Sequence, residues 1–314
     1  MLWPMRLVQN YRDLADEPFA RRVVSIGNFD GVHVGHRATL TAARAEADKL
    51  GTELAVLTFE PHPAELFGRA RPALRLADPE QKASLLAACG VDLALNQRFD
   101  AAFAALTPEA FAAEVLVGAL RAACVVVGEG FRFGVGRGGD FAALRRLGSR
   151  LGFSVVAAPL VTDLGEGVSS TRIRAALLAG DVAAARRLLG RFYEISGEVV
   201  RGRGVGSGLG FPTANVDGVR VLLPAPGIYA ARCAVRSTVH PAAVYLGERP
   251  TLGHGHSLEA HLLDCGEDLY GARITIAFVD RVRGEQRFDG AEALRAQMAI
   301  DVARIRSILE ADRG

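Results

Sequence analysis

Apolar positions in the first part of the chain fall into two alternating patterns. Short unbroken runs at 23–26, 54–59, 92–95, 124–128 and 154–157 read as buried strands. Between them, 37–50, 79–89 and 108–116 carry apolar residues at helical spacing. This alternation predicts βαβ units, a mostly parallel sheet with helices on both faces. After about residue 195 the pattern changes. Segments 195–200, 227–235, 242–246, 258–263 and 273–279 are strand-like and separated by glycine and proline, and no long helix is expected before 289–310. The second part therefore predicts an antiparallel barrel or sandwich with a C-terminal helix. Leu294, Met298, Val302, Ile305 and Leu309 recur every three or four residues, so that helix should bury one face. The change of pattern places a domain boundary near residue 190, dividing 1–189 from 190–314.

Composition narrows the class without naming it. A chain of 314 residues is long enough for two domains, each with its own core. Half the residues are apolar and 23% charged, as in an ordinary soluble protein. A net charge of +2 is too small to hold nucleic acid by bulk electrostatics. Residues 1–8 are mostly apolar but short, and Arg12, Asp13, Asp16 and Glu17 follow at once, so no export signal is expected. The apolar stretch 115–127 is broken by Arg121 and too short to span a bilayer. Cys89, Cys124, Cys233 and Cys265 have no paired spacing, which predicts free thiols in a reducing cytoplasm rather than a zinc site or disulfides.

The candidate chemistry begins at Gly27-Asn28-Phe29-Asp30-Gly31-Val32-His33-Val34-Gly35-His36. A predicted strand precedes this string and a predicted helix follows it. A helix start offers free backbone N–H groups and a positive dipole end, which attract phosphate. Glycines let the backbone come close to an anion. His33 and His36 can then donate hydrogen bonds to charge that builds on a phosphoryl group. The string resembles the signature of the FMN adenylyltransferase half of bacterial bifunctional riboflavin kinase/FAD synthetases, within the wider HxGH nucleotidyltransferases. That resemblance implies ATP binding through Gly27, Asn28, Phe29, Asp30 and Gly35, with attack on the α-phosphate.

Three further segments fit the same family. Thr58-Phe59-Glu60-Pro61-His62-Pro63 resembles its TFxPHP segment; the prolines set a rigid turn, and His62 is a candidate flavin contact. Val127 to Gly134 resembles VGxDFxFG, which offers Phe131 and Phe133 to the flavin; Gly130 stands where the family carries Asp or Asn. Val168 to Arg174 resembles a V-S-S-T-x-I-R motif. Its Ser169, Ser170 and Thr171 suit a helix cap that leaves N–H groups for phosphate, and Arg174 can fork onto the β- and γ-phosphates.

The second domain carries its own signature. Gly208 to Asn215 resembles the riboflavin kinase PTAN motif, and no Walker-type phosphate loop is present. Thr213 and Asn215, two apart, point the same way in an extended segment and can offer oxygens to Mg2+ carrying ATP phosphates. Gly206 and Gly210 belong to a glycine-rich flap expected over the nucleotide, and Pro212 is a candidate flavin contact. Val205-Gly206-Ser207 replaces the Arg-Gly-Arg common in the family, so arginine roles there do not carry over. Leu258 to Asp264 resembles an EAHLLD segment, where Glu259 matches the family's catalytic base. A glutamate in an apolar strand is costly to bury unless it has a partner or a task.

The resemblance spans about 22–310. It implies a cytoplasmic enzyme with a Rossmann-like α/β domain and a β-barrel domain. Such an enzyme converts riboflavin to FMN, and FMN to FAD, with ATP and Mg2+. Two other readings stand beside it: a kinase whose adenylyltransferase half is inactive, motivated by Gly130, and a non-catalytic flavin-binding regulatory module. The sequence leaves open whether the chain forms a homo-oligomer.

Overall fold

The computed structural model describes residues 5–14, 20–63, 68, 74–201, 210–248 and 256–312. Contacts divide the chain into two compact units, Met1–Ser169 and Ser170–Gly314.

The first unit is an α/β sheet. Strands β1 (Arg6–Val8), β2 (Arg22–Ile26), β3 (Glu53–Glu60), β4 (Leu93–Arg98), β5 (Ala122–Val127) and β6 (Ser154–Ala157) lie in the order β1-β4-β3-β2-β5-β6. Every neighbouring pair is parallel. Helices α1 (Val34–Leu50) and α2 (Pro79–Ala88) bury Leu40, Ala43, Ala47 and Leu86 against one face of the sheet. The other face is covered by α3 (Phe141–Leu151) and by the segment after β4. That segment starts as α-helix at Pro108–Ala110 and continues as π-helix over Phe111–Ala119. Its buried residues, Phe111, Ala112, Val115, Leu116 and Ala119, recur every four, and the wider π turn turns all of them inward.

The strand order fixes where a ligand can sit. From β2 the chain moves outward on one side to β3 and β4; from β5 it moves to β6 on the other. β2 and β5 lie side by side, Ser25 opposite Val126. Their carboxyl ends therefore flank the topological switch point, where open α/β sheets bind ligands.

The second unit opens with α4 (Ser170–Ala179) and α5 (Val182–Leu189), which bury Ile173, Leu177, Val182, Ala185, Leu188 and Leu189. Strands β7 (Thr162–Asp163) and β8 (Glu166–Gly167) form a small hairpin just before it. Then β9 (Tyr193–Val200), β10 (Ala214–Asp217), β11 (Gly227–Val235), β12 (Thr238–Glu248), β13 (His256–Leu262) and β14 (Arg273–Arg283) close into a barrel of order β10-β13-β12-β11-β14-β9. All its pairs are antiparallel. The last helix, α6 (Ala291–Ala311), seats Ile305 and Leu309 on Ala230, Leu263, Val279 and Val282.

α6 also buries a charge. Asp301, 5% exposed, receives Arg283 through contacts of 2.7, 3.0 and 3.1 Å and Gln297 Nε2 at 2.9 Å. Breaking one partner of such a pair leaves the other charge buried and unanswered. Asp301→Ala should therefore destabilise the barrel unit by about 3 kcal/mol or more. The joint change Arg283→Met with Asp301→Leu should restore most of the loss. Scanning calorimetry of the intact protein reads both.

Candidate active sites

All five residues of β2 are buried, and the loop that follows begins at the switch point. This loop is held in a costly conformation. Phe29 and Val32 have positive φ, 48° and 37°, beside Gly31 at 77°. Side chains with a Cβ rarely adopt that region, and it persists only where surroundings over-determine it. Both are 1% exposed in the core beneath α1, and burial of these two side chains supplies the restraint.

Polar bonds hold the remainder of the loop. The Gly27 N–H donates to the Leu57 carbonyl at 3.1 Å. Thr58 Oγ1 donates to the Asn28 carbonyl at 3.0 Å. Asp30, 7% exposed, accepts the N–H groups of Leu76 and Ala77 at 2.9 and 3.3 Å. The aspartate read in the sequence as a phosphate contact therefore spends Oδ1 on fixing the lead-in to α2.

His33 is the N-cap of α1: its Nδ1 accepts the His36 N–H at 3.2 Å. Nδ1 is thus an acceptor, and in the neutral ring the proton sits on Nε2. The two imidazoles stack, with centroids 3.6 Å apart and planes 15° apart, and Phe29 lies 5.1 Å from His36. Gly35 makes room for this, since a Cβ there would meet the His33 ring at 3.2 Å. The same Cβ would lie 3.7 Å from the Val168 carbonyl, so the start of the V-S-S-T segment reaches the α1 terminus.

His36 keeps some accessible edge, but its Nδ1 is enclosed and without a hydrogen-bond partner among the described residues. Burial, then the neighbouring His33, then Lys82 on α2 hold its pKa well below the usual 6.5. A neutral imidazole beside a helix N-terminus acts as a hydrogen-bonding group rather than as a cation.

The other N-terminal candidates fall nearby or outside this cluster. His62 follows β3, half-buried. Phe133 is core, 6% exposed and packed on Phe111; Phe131 stacks on it at 5.5 Å and stays partly exposed. A side chain at Gly130 would meet open space, so the backbone does not demand glycine there. Ser169 ends the first unit, and Ser170, Thr171 and Arg174 lie in the first turns of α4, within the second.

In the barrel, Leu258, Ala260 and Leu262 are buried, while Ser257, Glu259 and His261 alternate with them on the opposite, half-exposed face. Glu259 is therefore not a buried charge, contrary to the sequence expectation. β13 alternates as an antiparallel strand does, with one face wet. Asn215 on β10 and Tyr245 on β12 stand directly across from Glu259. Thr213 Oγ1 donates to Glu259 Oε2 at 3.3 Å and Ser257 Oγ to Oε1 at 3.1 Å. Tyr245 donates to Glu285 at 2.8 Å, and burial, then Glu285, then Glu259 push its hydroxyl up to about 12. Pro212 is exposed, and its carbonyl lies 2.7 Å from His261 Nδ1. Gly210 turns at φ 86°, and Gly206 lies outside the described residues. Among the described residues no three His, Cys, Asp or Glu converge on a metal position. Thr213 and Asn215 instead offer neutral oxygens, a set suited to Mg2+, which keeps its waters and relies on phosphate for charge.

Sequence reasoning missed Lys82, Ser257, Tyr245 and Glu285. Lys82 sits four residues before the buried Leu86 on α2, and that spacing puts a cation on the core face.

His36 gives a pH signature. Its folded pKa is depressed, so the native ring is neutral where the unfolded ring, at about 6.5, takes a proton. The stability this contributes is complete above about pH 6.5 and lost as pH falls toward the folded value. In NMR titration the His36 ring should stay neutral well below pH 6.5. The stability of His36→Gln relative to wild type should rise over the same interval.

Comparisons with known proteins bear on both sites. A family model described as FAD synthetase matches residues 16–172, and one described as riboflavin kinase matches 189–309. The bifunctional riboflavin kinase/FMN adenylyltransferase of Escherichia coli K12 is 42% identical over 299 residues, covering 95% of this chain and 96% of that protein. Its namesake in Pseudomonas fluorescens is 40% identical over 307 residues, 97% and 98% of the two chains. That of Bacillus subtilis is 34% identical over 295 residues, 92% of each. A crystal structure described as a macrolide-efflux protein from Streptococcus pneumoniae superposes with a TM-score of 0.89 at 29% identity, covering 96% of this chain and 99% of that one. Efflux is said of that protein; among the described residues here, no helix is long and apolar enough to cross a membrane.

Proposed function

The chain belongs to the bifunctional riboflavin kinase/FMN adenylyltransferase family, and we propose that it makes FMN from riboflavin and FAD from FMN, with ATP as the donor in both steps. Adenylyl transfer is assigned to 1–189 and the kinase to 190–314. The compact units meet at 169/170, so α4 and α5 pack with the barrel while the adenylyltransferase assignment includes them.

In adenylyl transfer, a phosphate oxygen of FMN attacks the α-phosphorus of ATP and pyrophosphate leaves. The N–H groups of the α1 start, with Gly27, Asn28, Phe29 and Gly35 shaping the approach, meet the phosphates. His33 and His36 donate to the charge that grows on the α-phosphoryl oxygens. Ser169, Ser170, Thr171 and Arg174 are assigned to the leaving β- and γ-phosphates. Phe131 and His62 are assigned to the flavin. The observation that carries this half is the enclosed Nδ1 of His36, without a partner among the described residues, at a helix start.

In the kinase, Glu259 takes the proton of the ribityl 5′-hydroxyl as that oxygen attacks the γ-phosphorus, and ADP leaves. The hydroxyls of Ser257 and Thr213 aim its carboxylate. Thr213, its hydroxyl hydrogen directed at Glu259, keeps its lone pairs for a cation, and with Asn215 would hold Mg2+. Bound there, Mg2+ would neutralise phosphate charge. Gly206 and Gly210 are assigned to ATP and Pro212 to riboflavin. The four cysteines are free, as suits work in a reducing cytoplasm.

Incubation of the purified protein with riboflavin, ATP and Mg2+ should yield FMN and then FAD, separated by chromatography. FMN without FAD would overturn the first half of this assignment. On the same preparations, His36→Ala should slow FAD formation roughly 100- to 1000-fold and spare FMN formation. Glu259→Gln should slow FMN formation roughly 100- to 10,000-fold while supplied FMN still becomes FAD. Because Glu259 is half-exposed, its loss should leave the melting temperature nearly unchanged.

A further inference from the structure

Neither histidine of the α1 start acts alone, because a cation from another helix is buried beside them. Lys82 is 9% exposed on α2. The first turn of that helix is fixed three ways. Asp78 caps it, accepting the Gln81 N–H at 2.8 Å; Gln81 reaches back to the Asp78 N–H at 3.1 Å; and Pro79 opens it. Just upstream, Leu76 and Ala77 are bonded to Asp30 of the histidine loop. The position of Lys82 is thus tied to that loop through the start of α2.

Its ammonium donates to Thr58 Oγ1 at 3.3 Å. Thr58 is 1% exposed and donates in turn to the Asn28 carbonyl. A bonded line therefore runs from α2 through β3 to the residue two after β2. The ammonium also acts on His36 through space. The titratable groups facing His36 are His33, on its own turn, and Lys82, from α2. Taking an ammonium out of water is expensive, and a surface lysine would anchor α2 as well at lower cost. An anion arriving at the α1 start, however, gains from a positive charge already in place.

We infer that Lys82 is a positioning residue for adenylyl transfer, acting through Thr58 on the Asn28 loop and through space on His36 and the phosphates bound beside it. This rests on the assignment of the α1 start to adenylyl transfer. The lysine moves no proton and forms no bond in the reaction. It holds the loop in its strained register and adds fixed positive charge.

Two variants separate these effects. Lys82→Met keeps the apolar stem and removes the charge. It should lower kcat for FMN to FAD by roughly 10- to 100-fold, the usual scale for a residue that positions a reacting group. With the like charge gone, the His36 titration should also move up toward 6.5, seen by NMR and as an upward shift of the acid limb of the FAD-forming rate. Thr58→Val cuts the bonded line but keeps the charge. It should lower kcat while leaving that titration in place. Riboflavin phosphorylation should stay within about twofold in both, since Lys82 and Thr58 belong to the other unit and to none of the groups assigned to the kinase. Folded Lys82→Met with wild-type FAD kinetics and an unmoved His36 titration overturns the inference. So does Thr58→Val with unchanged kcat, whether or not Lys82→Met folds. If the wild type itself forms no FAD, it is the assignment of the site that fails, which the same assay shows separately.

Discussion

The N-terminal site depends on the burial of Phe29 and Val32. Two side-chain-bearing residues at positive φ within four positions cost on the order of 1–3 kcal/mol each. Full burial of a large apolar side chain returns about 1.5–3 kcal/mol. The two terms are of one size, so the loop keeps its shape only while the core beneath α1 stays well packed. What the strain achieves is visible in the geometry. It turns the chain abruptly from the end of β2 into α1, leaving His33 as the cap and His36 stacked on it. A relaxed loop would need more residues and would carry the helix start away from the switch point between β2 and β5.

The same loop shows how polar groups divide between structure and chemistry. Asp30, Thr58 and Asn28 look alike in the sequence as polar members of a phosphate motif. In the fold, Asp30 Oδ1 and Thr58 Oγ1 are committed to backbone partners, and the Asn28 carbonyl is taken. The Nδ1 of His36 is enclosed and, among the described residues, without a hydrogen-bond partner. A buried polar atom without a partner among the described residues is a standing cost that the surrounding packing must offset.

Much of this was legible in the chain. Strands 154–157 and 227–235 coincide with the observed elements, and the parallel sheet, the antiparallel barrel and the final helix follow from periodicity. Three residues of β1 are too few to show a period, and β10 was hidden because its residues read as the PTAN motif rather than as a strand. The segment 108–116 had the right spacing for a helix, but its repeat of four belongs to a π turn. Glu259 looked buried because its neighbours are apolar; alternation across β13 puts it on the wet face. Lys82 was illegible for a different reason. Nothing in α2 marks a lysine as buried until Thr58, on a strand 24 residues earlier, comes within hydrogen-bond reach of it. The family motifs marked positions, and only the fold distinguishes an aspartate that binds backbone from a histidine that does not.

Under the proposed assignment the two units meet nucleotide phosphate with different means, and the backbone explains why. In an open parallel sheet each crossover helix begins near a strand end and offers unpaired N–H groups, so the first unit can receive phosphate on its main chain. A closed antiparallel barrel has no edge, and its ladders consume the N–H groups that such a site would use. Under the proposed assignment, side-chain oxygens at Thr213, Asn215 and Glu259 do this work instead. In the sequence, glycine stands at 202, 204, 206, 208 and 210, just ahead of β10. In the proposed assignment, side-chain oxygens in the barrel and a helix start with histidines in the α/β unit are thus two answers to one requirement. Each is set by whether secondary structure has left any N–H groups to spare.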